Sequence, residues 1–371
     1  MRVKLKDITK FSKGTQINGK NLIDDGAYSY LNGGINPSGK WNEFNVAENT
    51  VTISEGGNSS GYVNYMNKAF WCGAHCYYLY DGPKNSKYLY YALKSQQERL
   101  FRIRSGACMP NIKKSDLGNF IIEYEKDEVR QEEVVKVLEK CELLIEDYNK
   151  KLTLLDEAVR ARFVEMFGDP VINSCQFPVQ PMTDICDIID GDRGKNYPKS
   201  EEILDDGYCL FLNAKNVTQK GFDFENCNFI TREKDDALRN GKLSRGDVVL
   251  TTRGTVGNLA YYSKNVPYEN IRINSGMVIL RMNRSILNEI YFIELFKMKL
   301  SDIKEKIASG SAQPQLPIST MNKIILMIPP LELQNQFASF VQEIDKSRSR
   351  IQKSLEASQE LFDSLMQEYF G

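Results

Sequence analysis

The only histidine in this 371-residue chain lies between two thiols, in Cys72-Gly73-Ala74-His75-Cys76. A structural zinc needs four ligands, and Cys108 is the nearest single addition. No second cysteine pair stands at ligand spacing, so the stretch reads as a buried strand and no metal site is expected. One histidine also leaves almost no material for histidine-based acid–base or triad chemistry. Gly34-Ile35-Asn36-Pro37-Ser38-Gly39-Lys40 has phosphate-loop spacing, but Trp41 stands where Ser or Thr would hold magnesium. Pro37 also removes an amide that the phosphate cradle needs, and the segment reads as a surface turn. Met327-Ile328-Pro329-Pro330-Leu331 lacks the polar residue and the aromatic of an amino-methyltransferase motif, and no Gly-rich methyl-donor loop follows a strand. No catalytic residue is expected.

The elements that position these loops are declared by a duplication. Residues 129–168, shifted by 203 positions, fall without a gap on residues 332–371, placing Gln131 on Gln334, Leu152 on Leu355 and Phe167-Gly168 on Phe370-Gly371. The first copy has a heptad stripe through Val134, Leu138, Cys141, Ile145, Tyr148, Leu152, Leu155, Val159, Arg162 and Met166. In the second copy the stripe runs through Phe337, Val341, Ile344, Arg348, Ile351, Leu355, Ser358, Phe362, Leu365 and Tyr369. Apolar residues every 3.5 positions make a helix that must bury one side against another helix. Each stripe could pack on its own globular region, but two antiparallel rods of about 60 Å are expected, packed on each other and related by a pseudo-twofold axis.

The rods separate and follow two globular regions, 1–128 and 169–331. Each reads as short strands cut by turns. Ala27–Leu31, Thr50–Ser54 and Phe120–Ile122 are strand-like, and Tyr88–Arg104 has helical spacing. The second region repeats the plan. Asp24–Asn32 resembles Asp205–Asn213, and the Gly-rich turns after Thr50–Ser54 and after Asp247–Leu250 correspond. Ser105-Gly106 with Pro110 is echoed by Ser309-Gly310 with Pro314. The fold class is α+β.

Composition adds exclusions. Charged residues at 26% and aromatics at 11% fit a soluble globular protein. No secretory signal or membrane-length apolar run is present, and eight scattered cysteines suit reduced thiols in a cytoplasm. The net charge of −1 divides into +4 over 1–128, zero over 169–331, and −2 and −3 over the rods. Nucleic-acid binding here cannot rest on bulk positive charge.

Arg160-Ala161-Arg162-Phe163-Val164-Glu165-Met166-Phe167-Gly168-Asp169-Pro170, and Ile328-Pro329-Pro330-Leu331-Glu332-Leu333-Gln334-Asn335-Gln336-Phe337 opening the second rod, carry a family resemblance. So do Gly246–Gly254 and Gly33–Gly39. In their duplicated order these segments resemble the DNA-specificity (S) subunit of type I restriction-modification systems, over nearly the whole chain. The resemblance implies two target-recognition domains (1–128 and 169–331) on spacer helices (129–168 and 332–371). It also implies double-stranded DNA, two methyltransferase subunits and restriction subunits as partners. S-adenosylmethionine, Mg2+ and ATP would then belong to those partners and not to this chain.

Base readout calls for Arg or Lys toward guanine, Asn or Gln toward adenine, and small hydroxyl residues for close approach. The Gly-rich loops supply Lys13, Gln16, Asn32, Asn36, Ser38, Asn58, Ser59 and Ser60, with Lys40 assigned to phosphate. The second region supplies Arg193, Lys195, Asn213, Lys215, Asn216, Arg253, Thr255 and Asn258. Glu142, Asp156 and Glu356 on the outer rod faces suit partner contact. Two other readings compete: a stand-alone nucleotide- or zinc-dependent enzyme, and a coiled-coil scaffold that binds no DNA.

Overall fold

The computed structural model describes residues 1–106, 108–308 and 315–371; Ser309, Gly310 and Pro314 therefore lie outside the described residues. The chain divides into two compact units, Met1–Lys151 with Ile351–Gly371, and Leu152–Arg350. Each unit holds one globule and part of each long helix.

In the first unit, β1 (Arg2–Lys4) pairs antiparallel with β9 (Ile121–Glu123). A four-stranded sheet has the order β2 (Lys10–Lys13), β8 (Cys76–Tyr80), β5 (Thr50–Ser54), β6 (Val63–Met66). A second sheet runs β4 (Gly39–Trp41), β3 (Tyr28–Leu31), β7 (Phe70–Cys72), with β3 and β7 parallel. The short helices are α1 (Leu5–Ile8), α2 (Ser86–Lys94), α3 (Gln97–Arg102) and α4 (Lys114–Gly118). The helical spacing over 88–104 is thus split in two. Asn85 caps α2 through Oδ1, which accepts from the Tyr88 amide at 3.0 Å. Tyr88, Leu89, Tyr91, Ala92 and Leu93 of α2 join Val51, Ile53 and Tyr77 of the sheet in one core.

The second unit repeats this topology strand for strand. β10 (Val179–Pro181) pairs with β20 (Ile325–Met327), as β1 does with β9. The four-stranded sheet is β11 (Cys186–Asp190), β19 (Met277–Met282), β16 (Val248–Thr251), β17 (Leu259–Tyr261). The three-stranded sheet is β15 (Phe229–Ile230), β12 (Cys209–Leu212), β18 (Ile271–Ile273), again with its last two strands parallel. A small hairpin, β13 (Val217–Thr218) with β14 (Gly221–Phe222), has no counterpart strands among the described residues of the first unit. Four helices, α6 (Met182–Ile185), α7 (Arg232–Ala237), α8 (Glu289–Ala308) and α9 (Ile318–Met321), complete the globule. β16 is buried along its whole length, as a central strand covered on both faces must be.

The predicted rods are α5 (Glu128–Phe167) and α10 (Leu331–Phe370), each 40 residues long. They pair antiparallel within each unit. In the second unit, Asp156 meets Arg348 at 2.6 Å, Arg162 lies 5.9 Å from the Phe340 ring, and the Phe163 and Phe337 rings are 5.4 Å apart. In the first, Arg130 lies 5.7 Å from the Tyr369 ring, and Val134, Val135 and Leu138 share a core with Met366 and Phe370. Within the predicted stripe, Val134, Leu138, Cys141, Val159, Phe337 and Val341 are buried. Ile145, Tyr148, Leu152, Leu155, Ile344, Ile351, Leu355, Phe362 and Leu365 are half-buried, because two helices alone cover only one side of each other.

Near the globules the seam departs from the expected phase. Phe163 and Phe167, not Arg162 and Met166, are fully buried, and their repeat partners Met366 and Phe370 are buried likewise. These residues face the globule as well as the partner helix. The repeated glutamines are buried too. Gln131 donates to Glu125 O at 2.6 Å and to Tyr124 Oη at 3.0 Å. Gln334 donates to Ile286 O and Pro329 O and accepts from the Asn288 amide at 2.8 Å, tying the helix start to its globule. All three acidic residues expected to face partners hold hydrogen bonds inside the chain: Glu142 accepts from Tyr91 Oη at 2.6 Å, Asp156 holds Arg348, and Glu356 accepts from Gln352 Nε2 at 3.1 Å. Among the described residues no helix is long and apolar enough to cross a membrane.

Candidate nucleic-acid interface

The strand ends of each globule gather loops at one place, and close backbone approach makes this possible. Gly14 follows β2 directly, and a Cβ there would sit 1.9 Å from Cys72 O. Gly191 follows β11, the matching strand, and a Cβ there would sit 2.3 Å from Asn274 O. Only glycine lets the chain leave the sheet this close to its neighbour.

In the first unit the loop 32–36 is stapled to the turn after β5 and to β6. Ser59 Oγ donates to Gly33 O at 2.5 Å, and Asn64 Nδ2 donates to Ile35 O at 3.1 Å. Asn32 Oδ1 accepts from the His75 amide at 3.2 Å. Glu55 takes Lys13 Nζ at 2.8 Å and lies 3.5 Å from His75 Nδ1. Arg104 donates to Asn58 O at 3.3 Å. Lys13, Asn32, Asn58 and Ser59 therefore come together. Ser60 is fully buried and its hydroxyl donates to Glu55 O at 2.8 Å, so this expected base reader is a framework residue. Gln16 and Ser38 satisfy nearby carbonyls, of Ile17 and Tyr30. Asn36 and Lys40 are exposed, the latter on β4 opposite Ser29.

In the second unit Asp192, 6% exposed, accepts from the amides of Gly194 at 2.7 Å and Arg239 at 2.8 Å. Those amide bonds hold its carboxyl below the usual carboxylate range. The locked loop presents Arg193 and Lys195 outward, with Arg193 paired to Asp190 at 3.0 Å. The turn after β16 leans on the turn before β19 through Thr252 Oγ1, which donates to Gly276 O at 3.1 Å, and exposes Arg253 and Thr255. Asn216 and Asn258, expected to meet bases, are buried. Asn216 is 1% exposed and braces its loop by donating to Asp223 O and Asn226 O. Asn258 donates to Val217 O at 2.9 Å from a buried position. Asn213 caps the Lys215 amide at 2.9 Å, leaving Lys215 exposed beside it.

Sequence reading missed the buried ion cluster beneath these loops. Asp235 is fully buried and accepts from Lys242 Nζ and Arg272 Nε, while Arg272 also donates to Asp235 O, Leu238 O and Asn240 O. Burial would push the Asp235 carboxyl up, but the bonds from Lys242 and Arg272 prevail and it lies below its ordinary value. A polar residue on an exposed-looking short helix gave no signal of this partner 37 positions away.

The remaining chemistry is sparse. Cys72 and Cys76 are buried free thiols at the ends of β7 and β8, with His75 exposed on the turn between them rather than in one continuous strand. The Cys72 thiol is pushed up by its hydrogen bond with Cys76 and by burial, so it is no ready thiolate. Among the described residues no group of three or more His, Cys, Asp or Glu is placed to hold a metal ion. Gly34–Lys40 runs from a turn into β4, not into a helix, so it lacks the helix N-terminus of a phosphate loop.

A family model described as "Type I restriction modification DNA specificity domain" matches residues 1–155 and 177–359. The chain is 28% identical to a putative type I specificity subunit of Mycoplasma genitalium, covering 96% of this chain and 90% of that protein. A putative type I specificity subunit of Mycoplasma pneumoniae is 26% identical, covering 99% of this chain and 94% of that protein. The crystal structure of a type I restriction-modification S subunit from M. genitalium shares the fold, with a TM-score of 0.66 at 22% identity, covering 100% of this chain and 96% of that one.

Proposed function

Because the chain belongs to the type I restriction-modification DNA specificity family, we propose that each of its two globules reads one half of an asymmetric, interrupted DNA target. The observation that carries this reading is the duplicated loop platform. One strand topology occurs twice, and its matched loops expose different side chains: Lys13 and Asn58 in one, beside a half-buried Asn32, and Arg193, Lys195, Arg253 and Thr255 in the other. Unlike side chains on like scaffolds read unlike half-sites. The paired helices are the spacer between them.

The chain supplies recognition and orientation. Two methyltransferase subunits and the restriction subunits supply the chemistry, with S-adenosylmethionine, Mg2+ and ATP bound there. The loop lysines and arginines contact phosphates and fix register, and the asparagines and threonine at the loop tips meet base edges. The test is retention of a duplex panel by this chain purified with its methyltransferase. One interrupted sequence should be held at least ~10^3-fold more tightly than shuffled duplexes at physiological salt. Equal retention of every duplex would overturn the reading.

A further inference from the structure

The two globules share a plan but differ in one cleft. In the first unit an open, polar-lined cleft of about 670 Å³ lies among Ser12, Lys13, Glu55, Tyr77, Lys113 and Lys114. Its walls are set by bonds to backbone carbonyls: the Ile112 amide donates to Glu55 O at 2.9 Å, and the Tyr77 hydroxyl donates to Ile112 O at 3.3 Å. Glu55 is committed to Lys13 at 2.8 Å. Lys113 and Lys114 are exposed and have no carboxylate partner among the described residues; Lys114 Nζ lies 5.7 Å from the Phe11 ring.

The second unit builds the same walls. Leu316 donates its amide to Thr252 O at 3.0 Å, as Ile112 does to Glu55. Pro317 and Ile318 open α9 as Lys113 and Lys114 open α4. Asp190 ends β11 where Lys13 ends β2. Three lysines and a glutamate in one unit thus become Asp190, Pro317, Ile318 and Thr252 in the other. The fold does not require the lysines, since its twin forms without them. Two unpaired ammonium groups in an open cleft, beside the loops carrying Lys13, Asn58 and Ser59, suit a dispersed anion and not an enclosed small molecule.

We propose that the Lys13–Lys113–Lys114 cleft binds backbone phosphates of the duplex flanking the half-site read by the first globule, and that the second globule lacks this anchor. The proposal rests on the DNA-recognition reading above. Lys113 and Lys114 bind without reading sequence, so they add to specific and non-specific affinity alike. Glu55 opposes the phosphates by its own charge.

The experiment compares the wild-type complex with its methyltransferase to Lys113→Gln/Lys114→Gln and to Glu55→Gln. Binding of a labelled target duplex and of a shuffled duplex is measured across salt concentrations. Each phosphate contact contributes about 0.9 to the slope of log affinity against log salt, so the double variant should lose about 1 to 2 from that slope on both duplexes. Its preferred sequence should be unchanged, and Glu55→Gln should bind both duplexes more tightly. An unaltered slope in the double variant, or a changed target sequence, overturns the cleft assignment and leaves the DNA-recognition reading standing. Loss of preference already in the wild-type complex would instead overturn that reading. Titration with inorganic phosphate alone should give no saturable binding; saturable binding abolished in the double variant would make this a free-anion site and overturn the duplex assignment.

Discussion

Asp235 shows what a single buried carboxylate does for the second globule. The Arg272 side chain is 6% exposed and Asp235 is the one carboxylate paired with it among the described residues, so Asp235→Asn would strand a guanidinium inside the globule. Breaking a buried pair from one side costs about 3–5 kcal/mol, which should appear as a lowered denaturant midpoint for the second unit. The pH dependence follows from the direction of the shift. The folded carboxyl lies below its ordinary value. Its stabilisation is therefore complete above the unfolded carboxylate pKa of about 3.9 and is lost as pH falls through the folded value. Urea titrations of the wild-type and Asp235→Asn proteins should stay apart down to about pH 4 and converge only as pH falls further, toward the depressed folded value; a separation independent of pH would contradict this. Residue types in the loops were legible from the sequence, but their burial was not. Ser60, Asn216 and Asn258 have the chemistry of base readers and spend it on carbonyls of their own chain. A short polar side chain in a turn satisfies backbone as readily as it meets solvent, and spacing alone does not separate the two.

At the scale of elements, the long helices were the most legible feature, because heptad periodicity over forty residues has few other causes. What it could not give was the second buried face. Phe163, Phe167 and Phe337 with Tyr291 form an aromatic cluster, with Phe167 and Tyr291 centroids 4.8 Å apart, that joins both helices to α8. Two environments on one helix demand two stripes, and a reading for one stripe placed the seam one residue early. Phe337→Ala should cost about 3–5 kcal/mol by thermal or chemical denaturation, through lost burial and the cavity left behind. Asp156→Asn, which loses a 2.6 Å pair to Arg348 from a side chain 68% exposed, should cost less than about 1 kcal/mol. The reverse ranking would mean that the helices are held by charge and not by packing. The sequence reading also ran α2 and α3 together, since Ser95 and Gln96 break the helix without a Gly or Pro to mark the break.

For the whole molecule, the duplication was visible in the rods at once and in the globules only as an order of features. The strand-for-strand match of the two units was beyond sequence reading, because short strands with unlike residues retain a topology without retaining a pattern. The paired helices predict a ruler. One heptad inserted at matching points in α5 and α10 adds about 10 Å, so the unread gap of the target should lengthen by about three base pairs while both half-sites persist. The central claim is that one chain carries two unlike readers, and it is tested most directly by sequencing methylated sites in cells that express this chain with its methyltransferase. Exchanging residues 1–128 for the corresponding globule of a relative should change one half of a single interrupted motif and leave the other half and the gap intact. Change in both halves, or in neither, would contradict it.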